Sequence, residues 1–139
     1  METAIIKQSQ LVEAEITATP AAGQRFNFND NQEISNNNIL LYALQAYSEA
    51  QLAKSPISQK TVVGTTGVPS VVITFVDNNN EEVVQRIPFY DIIRSNNSGF
   101  YTLVKPLRVS LTKCYIELVD TTGVSVNEVV VFNFIYTKI

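Results

Sequence analysis

A chain of 139 residues with no histidine and a single cysteine lacks the side chain that changes charge nearest neutrality and most often ligates metals. Ser-His-Asp and Cys-His nucleophile pairs and His-based zinc sites are thereby removed, and no intrachain disulfide can close. The formal net charge of −3, with Arg86, Arg94, Lys105, Arg108 and Lys113 spread singly, argues against direct nucleic-acid contact, which needs clustered cations on phosphates.

Apolar residues make up 45% of the chain and charged residues only 17%, below the usual quarter. Asn, Gln, Ser and Thr must therefore supply much of the polar surface. A surface so poor in charge resists association weakly, which points to a protein that packs against neighbours. The length is that of one domain spanning 1–139. No basic segment followed by an apolar core is visible at the start, so the expectation is synthesis and folding in the cytoplasm. The longest apolar runs, 39–44 and 129–132, are far too short to span a bilayer.

Residues 1–10, with Ala4, Ile5 and Ile6, read as an extended arm able to add to a neighbour's sheet. From 10 to 18 the chain alternates, with Val12, Ala14, Ile16 and Ala18 opposite Leu11, Glu13, Glu15 and Thr17, the pattern of a half-buried strand. Residues 20–23 break it. Alternation resumes over 24–29, which places Phe26 and Phe28 together, away from Arg25, Asn27 and Asn29. Asn36, Asn37 and Asn38 mark a turn or a helix start.

Residues 39–54 carry two readings. Their content of Ala, Leu, Gln and Glu suits a helix capped by Asn38, with Ile39, Ala43, Ala46 and Ala50 on one face. They equally suit a buried strand over 39–47 followed by an irregular or helical loop, and this is the preferred reading.

Beyond Pro56 the pattern is β. Residues 61–63 form a short strand ended by Gly64 to Gly67. Strands over 71–76 and 81–87 form a hairpin through Asp77-Asn78-Asn79-Asn80, residues that tolerate positive φ and bond their own backbone. Pro88 stops the second arm, and 89–94 make one helical turn before the Asn-rich 96–99. A strand over 100–104 is interrupted at Pro106. Another covers 114–119, and Asp120-Thr121-Thr122-Gly123 turns the chain into the last strand, 128–137. That strand sets Val130, Phe132, Phe134 and Tyr136 against Val129, Val131, Asn133, Ile135 and Thr137, so both faces are covered and it should pair centrally. The sum is an all-β antiparallel sandwich of about eight or nine strands, jelly-roll-like, with a possible short helix within 39–54. Thr-Thr-Gly-Val occurs at both 65–68 and 121–124, which reads as the same turn chemistry used twice.

Chemistry-bearing patterns are few, and each has a simpler structural reading. Asp120-Thr121-Thr122-Gly123 approximates the Asp-Thr-Gly of small homodimeric aspartic proteases, but an extra threonine separates acid from glycine; a turn explains it. Ser110-Leu111-Thr112-Lys113 matches Ser-x-x-Lys, yet the segment reads as extended, without the helix that chemistry requires. Cys114 fits a buried structural thiol. Asp77, Asn79 and Glu81, like Asn29, Asn31 and Glu33, alternate oxygen ligands but lack the carboxylates and the glycine of a calcium loop. Asn96-Asn97-Ser98 is formally a glycosylation sequon. Phe89-Tyr90 and Phe100-Tyr101 flank an Asn-rich turn; one member of each pair should point inward, leaving the other for a sugar platform or a contact patch. No catalytic, cofactor-binding or metal residue is assigned.

The stretches 86–92, 113–117 and 132–136, including Arg86-Ile87-Pro88-Phe89-Tyr90, Cys114-Tyr115-Ile116 and Phe132-Asn133-Phe134-Ile135-Tyr136, resemble small virion structural proteins of bacteriophages infecting Bacteroidetes-type hosts. The resemblance covers about residues 70–139 and rests on Asn-rich turns, scarce histidine and cysteine, and an aromatic terminal strand. It implies a jelly-roll sandwich in a capsid, as a vertex, minor coat or decoration subunit, with other virion proteins as partners. The expectation is a non-enzymatic virion protein that self-associates as a homo-oligomer; a carbohydrate-binding or adhesion module is the alternative.

Overall fold

Each alternating segment of the sequence becomes a strand whose apolar side faces a shared interior. The computed structural model describes residues 7–29, 34, 38–93 and 100–138. The strands are β1 (Gln8–Glu15), β2 (Arg25–Asn27), β3 (Asn38–Tyr47), β4 (Val71–Val76), β5 (Glu82–Pro88), β6 (Tyr101–Ser110), β7 (Tyr115–Leu118) and β8 (Val129–Lys138), with a one-turn helix α1 (Phe89–Ile92) between β5 and β6.

They form two four-stranded sheets, ordered β1-β8-β3-β6 and β2-β7-β4-β5. Every pairing is antiparallel: β1 with β8, β2 with β7, β3 with β6 and β4 with β5, while β8 also joins β3 and β7 also joins β4. The chain is thus one long hairpin, bent at the β4–β5 turn and rolled up so that successive strand pairs alternate between sheets. This is the jelly-roll wrapping, which explains how strands far apart in sequence become neighbours.

The interior follows the alternation. Val12 and Ala14 of β1, Phe26 of β2, Ile73 and Phe75 of β4, Ile116 and Leu118 of β7, and Val130, Phe132, Phe134 and Tyr136 of β8 are buried in one cluster. Aromatic rings tie the layers. Phe132 lies 5.4 Å from Phe28 and 5.6 Å from Phe89, and Phe134 lies 6.0 Å from Phe75 across the sandwich. These separations are those of favourable tilted and edge-on pairs.

The ambiguous segment 39–54 divides. Residues 39–47 belong to β3, and the helical reading gives way to turns beyond Tyr47. Its residues in the central core, Ile39, Leu41, Leu44 and Ala46, step by two, three and two, because a bulge between Leu41 and Ala43 shifts the register. The excursion that follows lies over the outer face of the first sheet. There Val62 packs with Val129 and Val131, against Leu11, Tyr47 and Leu52. Ser58 donates to Glu13 at 3.0 Å and Lys60 pairs with Glu15, pinning the cover to β1.

Four other expectations change in detail. Residues 61–63 make only isolated bridges, Thr61 with Lys54 and Val62 with Val129, rather than a ladder. Pro106 does not end its strand: β6 is an edge strand and Pro106 sits in a bulge, where a missing N–H breaks no ladder bond. Leu111–Lys113 is a 3-10 turn, not extended chain. Gln8, Ser9 and Gln10 pair with Tyr136, Ile135 and Phe134 of their own sheet, so they are no free arm; Ala4, Ile5 and Ile6 lie outside the described residues. Asn36 and Asn37 lie outside them as well.

The two Thr-Thr-Gly-Val segments meet at one end of the sandwich. A Cβ built on Gly67 would lie 2.3 Å from the Gly123 carbonyl oxygen, and one on Gly123 would lie 2.6 Å from the Gly67 nitrogen. Ser70 Oγ donates to the Thr122 carbonyl at 2.9 Å, and Val68 and Val124 are both buried. Gly123 also has φ +74, in the left-handed region. Backbone packs on backbone here, and only glycine permits it. Gly123→Ala is expected to cost about 1–3 kcal/mol from its dihedral alone, with further loss from the overlap. Gly67→Ala should destabilise through overlap only. Urea unfolding midpoints check both, and an unchanged midpoint for Gly67→Ala would contradict the close approach.

Candidate interaction surface

The two open sides of the sandwich are unlike. Where β1 and β2 end their sheets, the gap is stitched: Ala14 bridges Phe28, and the Asn29 N–H donates to the Glu13 carbonyl at 2.8 Å. Where β5 and β6 end theirs, no backbone hydrogen bond joins the two edges among the described residues. A groove of about 290 Å³ opens there between Val84 and Ile87 on one side and Tyr101, Leu103 and Leu107 on the other.

Apolar exposure gathers on the same stretch of chain. Among the described residues eight large hydrophobics are exposed, and five of them, Val83, Tyr90, Phe100, Tyr101 and Val104, lie between positions 83 and 104. Val104 is fully exposed. Its position follows from the register of β6, where Leu107 pairs with Leu41 and Thr102 with Ala43, so residues 103–106 loop out opposite Tyr42. Of the five exposed residues, Tyr101 and Val104 line the groove; single exposed apolar residues are ordinary, but an exposed apolar patch at a groove marks a contact surface.

Both edges are interrupted. In β5 the register slips between Ile73 and Phe75, and Arg86 adopts φ +53 while its N–H donates to Thr74 Oγ1 at 3.2 Å. That bulge aims the Arg86 side chain across the outer face of the second sheet, where it pairs with Glu117. Glu117 also accepts from Arg25 Nε at 3.0 Å, so one carboxylate links β2, β7 and β5. Arg25 lies over the Tyr115 ring at 4.6 Å, and the Tyr115 hydroxyl donates to Glu82 at 2.9 Å. Burial, and then that bond to Glu82, holds the Tyr115 hydroxyl above its usual pKa.

The patterns singled out in the sequence do not converge. Asp120 is exposed, and its oxygens accept from the Thr121 N–H at 2.7 Å and the Thr122 hydroxyl at 3.1 Å. Those bonds within its own turn lower its pKa, opposite to the raised member of an aspartic dyad. Ser110 and Lys113 part company, because the Lys113 ammonium donates to the Asn78 carbonyl at 2.9 Å. Cys114 is fully buried, its thiol donating to the Ser110 carbonyl at 3.2 Å, and burial pushes its pKa up to about 12. Asp77 Oδ1 accepts from the Asn79 and Glu81 N–H groups at 2.9 Å each, which makes it a turn cap. Asn31, Glu33, Arg94 and Asn96-Asn97-Ser98 lie outside the described residues. Phe89 is buried beneath exposed Tyr90, as expected, whereas Phe100 and Tyr101 are both exposed, because β6 is an edge strand with little to cover it.

Sequence reasoning missed the groove. Its signal was the run Leu103-Val104-Lys105-Pro106-Leu107, where alternation fails around a proline. Among the described residues no helix is long and apolar enough to cross a membrane. Comparison with protein-family models, with curated proteins and with solved structures finds no match.

Burial by itself would raise the Glu117 pKa, but the hydrogen bonds and charges of Arg86 and Arg25 outweigh it and hold the carboxylate below its ordinary 4.5. A depressed folded-state pKa adds stability that is fully present above the unfolded value and is lost as pH falls through the folded one. Unfolding free energy measured below pH 4.5 should therefore fall with acid, and Glu117→Gln should flatten that dependence. At neutral pH the same change is expected to cost on the order of 1 kcal/mol, since both guanidinium groups are about half exposed. The Cys114 thiol should resist disulfide reagents until the chain unfolds; rapid labelling of the native protein would contradict its burial.

Proposed function

We propose that this chain is a non-enzymatic structural subunit of a virus particle, acting through self-association rather than turnover. The observation that carries the reading is the open, apolar β5–β6 side of a jelly-roll sandwich whose other side is stitched shut. Jelly rolls serve as viral capsid domains and as lectins, so topology alone does not choose between assembly and sugar binding. Three features favour assembly. Charged residues are scarce, exposed apolar side chains concentrate between positions 83 and 104, and the resemblance to small phage virion proteins points the same way. The sugar-binding alternative would draw on the same exposed aromatics, Tyr90, Phe100 and Tyr101. A capsid vertex, minor coat or decoration position fits this reading, with other virion proteins as further partners.

Size-exclusion chromatography with light scattering is expected to give a defined oligomer whose population grows with concentration. A clean monomer at high concentration that binds glycans on an array would replace this reading with the carbohydrate-binding one.

A further inference from the structure

A polar cleft of about 370 Å³ lies on the outer face of the second sheet, between Arg25 and Asn27 of β2, Tyr115 of β7 and Glu82 of β5. Four of its side chains are each held by a bond to the fold and keep a further polar atom open. Asn27 donates its Nδ2 to the Thr112 carbonyl at 3.1 Å, which leaves its Oδ1 without a partner among the described residues. Glu82 accepts from the Tyr115 hydroxyl at 2.9 Å through one oxygen only. Lys113 gives one N–H to the Asn78 carbonyl at 2.9 Å, and Arg25 gives its Nε–H to Glu117 at 3.0 Å, so each keeps further N–H groups. The Thr112 hydroxyl and the Asn80 side-chain amide, also on the lining, have no hydrogen-bond partner among the described residues. Groups already held in place lose little freedom when a ligand arrives.

Charge is balanced around the cleft: Arg25, Arg86 and Lys113 are matched by Glu117, Glu82 and Asp77, the last capping the turn that Lys113 grips. That balance and the open groups select the ligand. A carboxylate or phosphate only accepts, so it would meet the open oxygens of Asn27 and Glu82. A cation would meet Arg25 and Lys113, and an apolar molecule would leave all of these groups without partners. A hydroxyl both donates and accepts, and neighbouring hydroxyls on a ring satisfy acceptors and donors together. We propose that the cleft binds a neutral saccharide, whose hydroxyls donate to Asn27 Oδ1 and Glu82 and accept from Arg25 and Lys113, with Thr112 and Asn80 completing the set. The site shares no lining residue with the β5–β6 groove, so it goes beyond self-association and does not depend on it.

The test titrates the full chain with glucose, galactose, mannose and N-acetylglucosamine, and with inorganic phosphate, read by saturation-transfer NMR, which tolerates a large assembly. Asn80→Gly removes the amide while suiting the left-handed backbone at φ +64, and Thr112→Val removes the hydroxyl at nearly constant shape. Thermal transitions check that both fold. At least one of the sugars is expected to bind saturably in the millimolar range. The two substitutions together are expected to weaken it at least about tenfold, as loss of two hydrogen bonds implies, and Tyr101→Ala in the groove is expected to leave it unchanged. Absence of sugar binding, an equal loss from Tyr101→Ala, an unaffected double variant, or displacement of the sugar by phosphate would each overturn the site. Light scattering on the same samples reads subunit number separately, so none of these results bears on self-association.

Discussion

Strand β8 is the constraint on which the rest of the sandwich depends. It lies between β1 and β3, so the first sheet exists only when the C-terminal segment is in place. Its inner face sends Phe132 to Phe28 and Phe89 and sends Phe134 to Phe75, joining it to the opposite sheet and to α1. Its outer face offers Val129 and Val131, which the 48–63 excursion covers. Because that excursion is held by Glu13, Glu15 and Val62, the outer face of the first sheet is already occupied within one copy. Covering there and stitching between β1 and β2 leave the β5–β6 side, among the described residues, with an apolar groove facing solvent.

Bulges decide how that side is presented. The bulge in β3 opposite residues 103–106 lets β6 bow outward, lifting Val104 into water and opening the groove beneath it. The bulge in β5 places Arg86 in the left-handed region, a conformation that costs a non-glycine residue on the order of 1–3 kcal/mol. Two compensations are visible: the N–H bond to Thr74 and the ion pair with Glu117. Strain at an edge strand is thus tied to the polar fastening across the outer face of the second sheet. The fastening and the groove share β5 without sharing side chains.

Much of the architecture was legible in the alternation of the sequence. The hairpin through Asp77, the central C-terminal strand, the Phe26 and Phe28 pair and the single helical turn at Phe89 all follow from local chemistry. Misreadings arose where a bulge breaks the period of two. Ile39, Leu41, Leu44 and Ala46 mix strand and helix spacings because one residue is extra, and Pro106 reads as a stop until β6 is known to be an edge. The meeting of Gly67 with Gly123 was beyond sequence reasoning, since the shared Thr-Thr-Gly-Val gives the turn but not its neighbour. The groove was hidden for the same reason: its lining joins two edges that no local pattern relates.

The asymmetry between the two open sides also bears on what kind of assembly the fold favours. A smooth, unprotected strand edge recruits another edge and leaves a new one behind, which propagates without limit. Here both strands at the open side are bulged, so neither offers such an edge, and what that side presents is a groove and the exposed Val104. On the self-association reading, contact between copies is then made by side chains rather than by strand addition, and the polar face built on Arg25, Glu117 and Arg86 stays partly exposed on the second sheet. Cys114, Lys113 and Asp120 are each committed to hydrogen bonds within the fold.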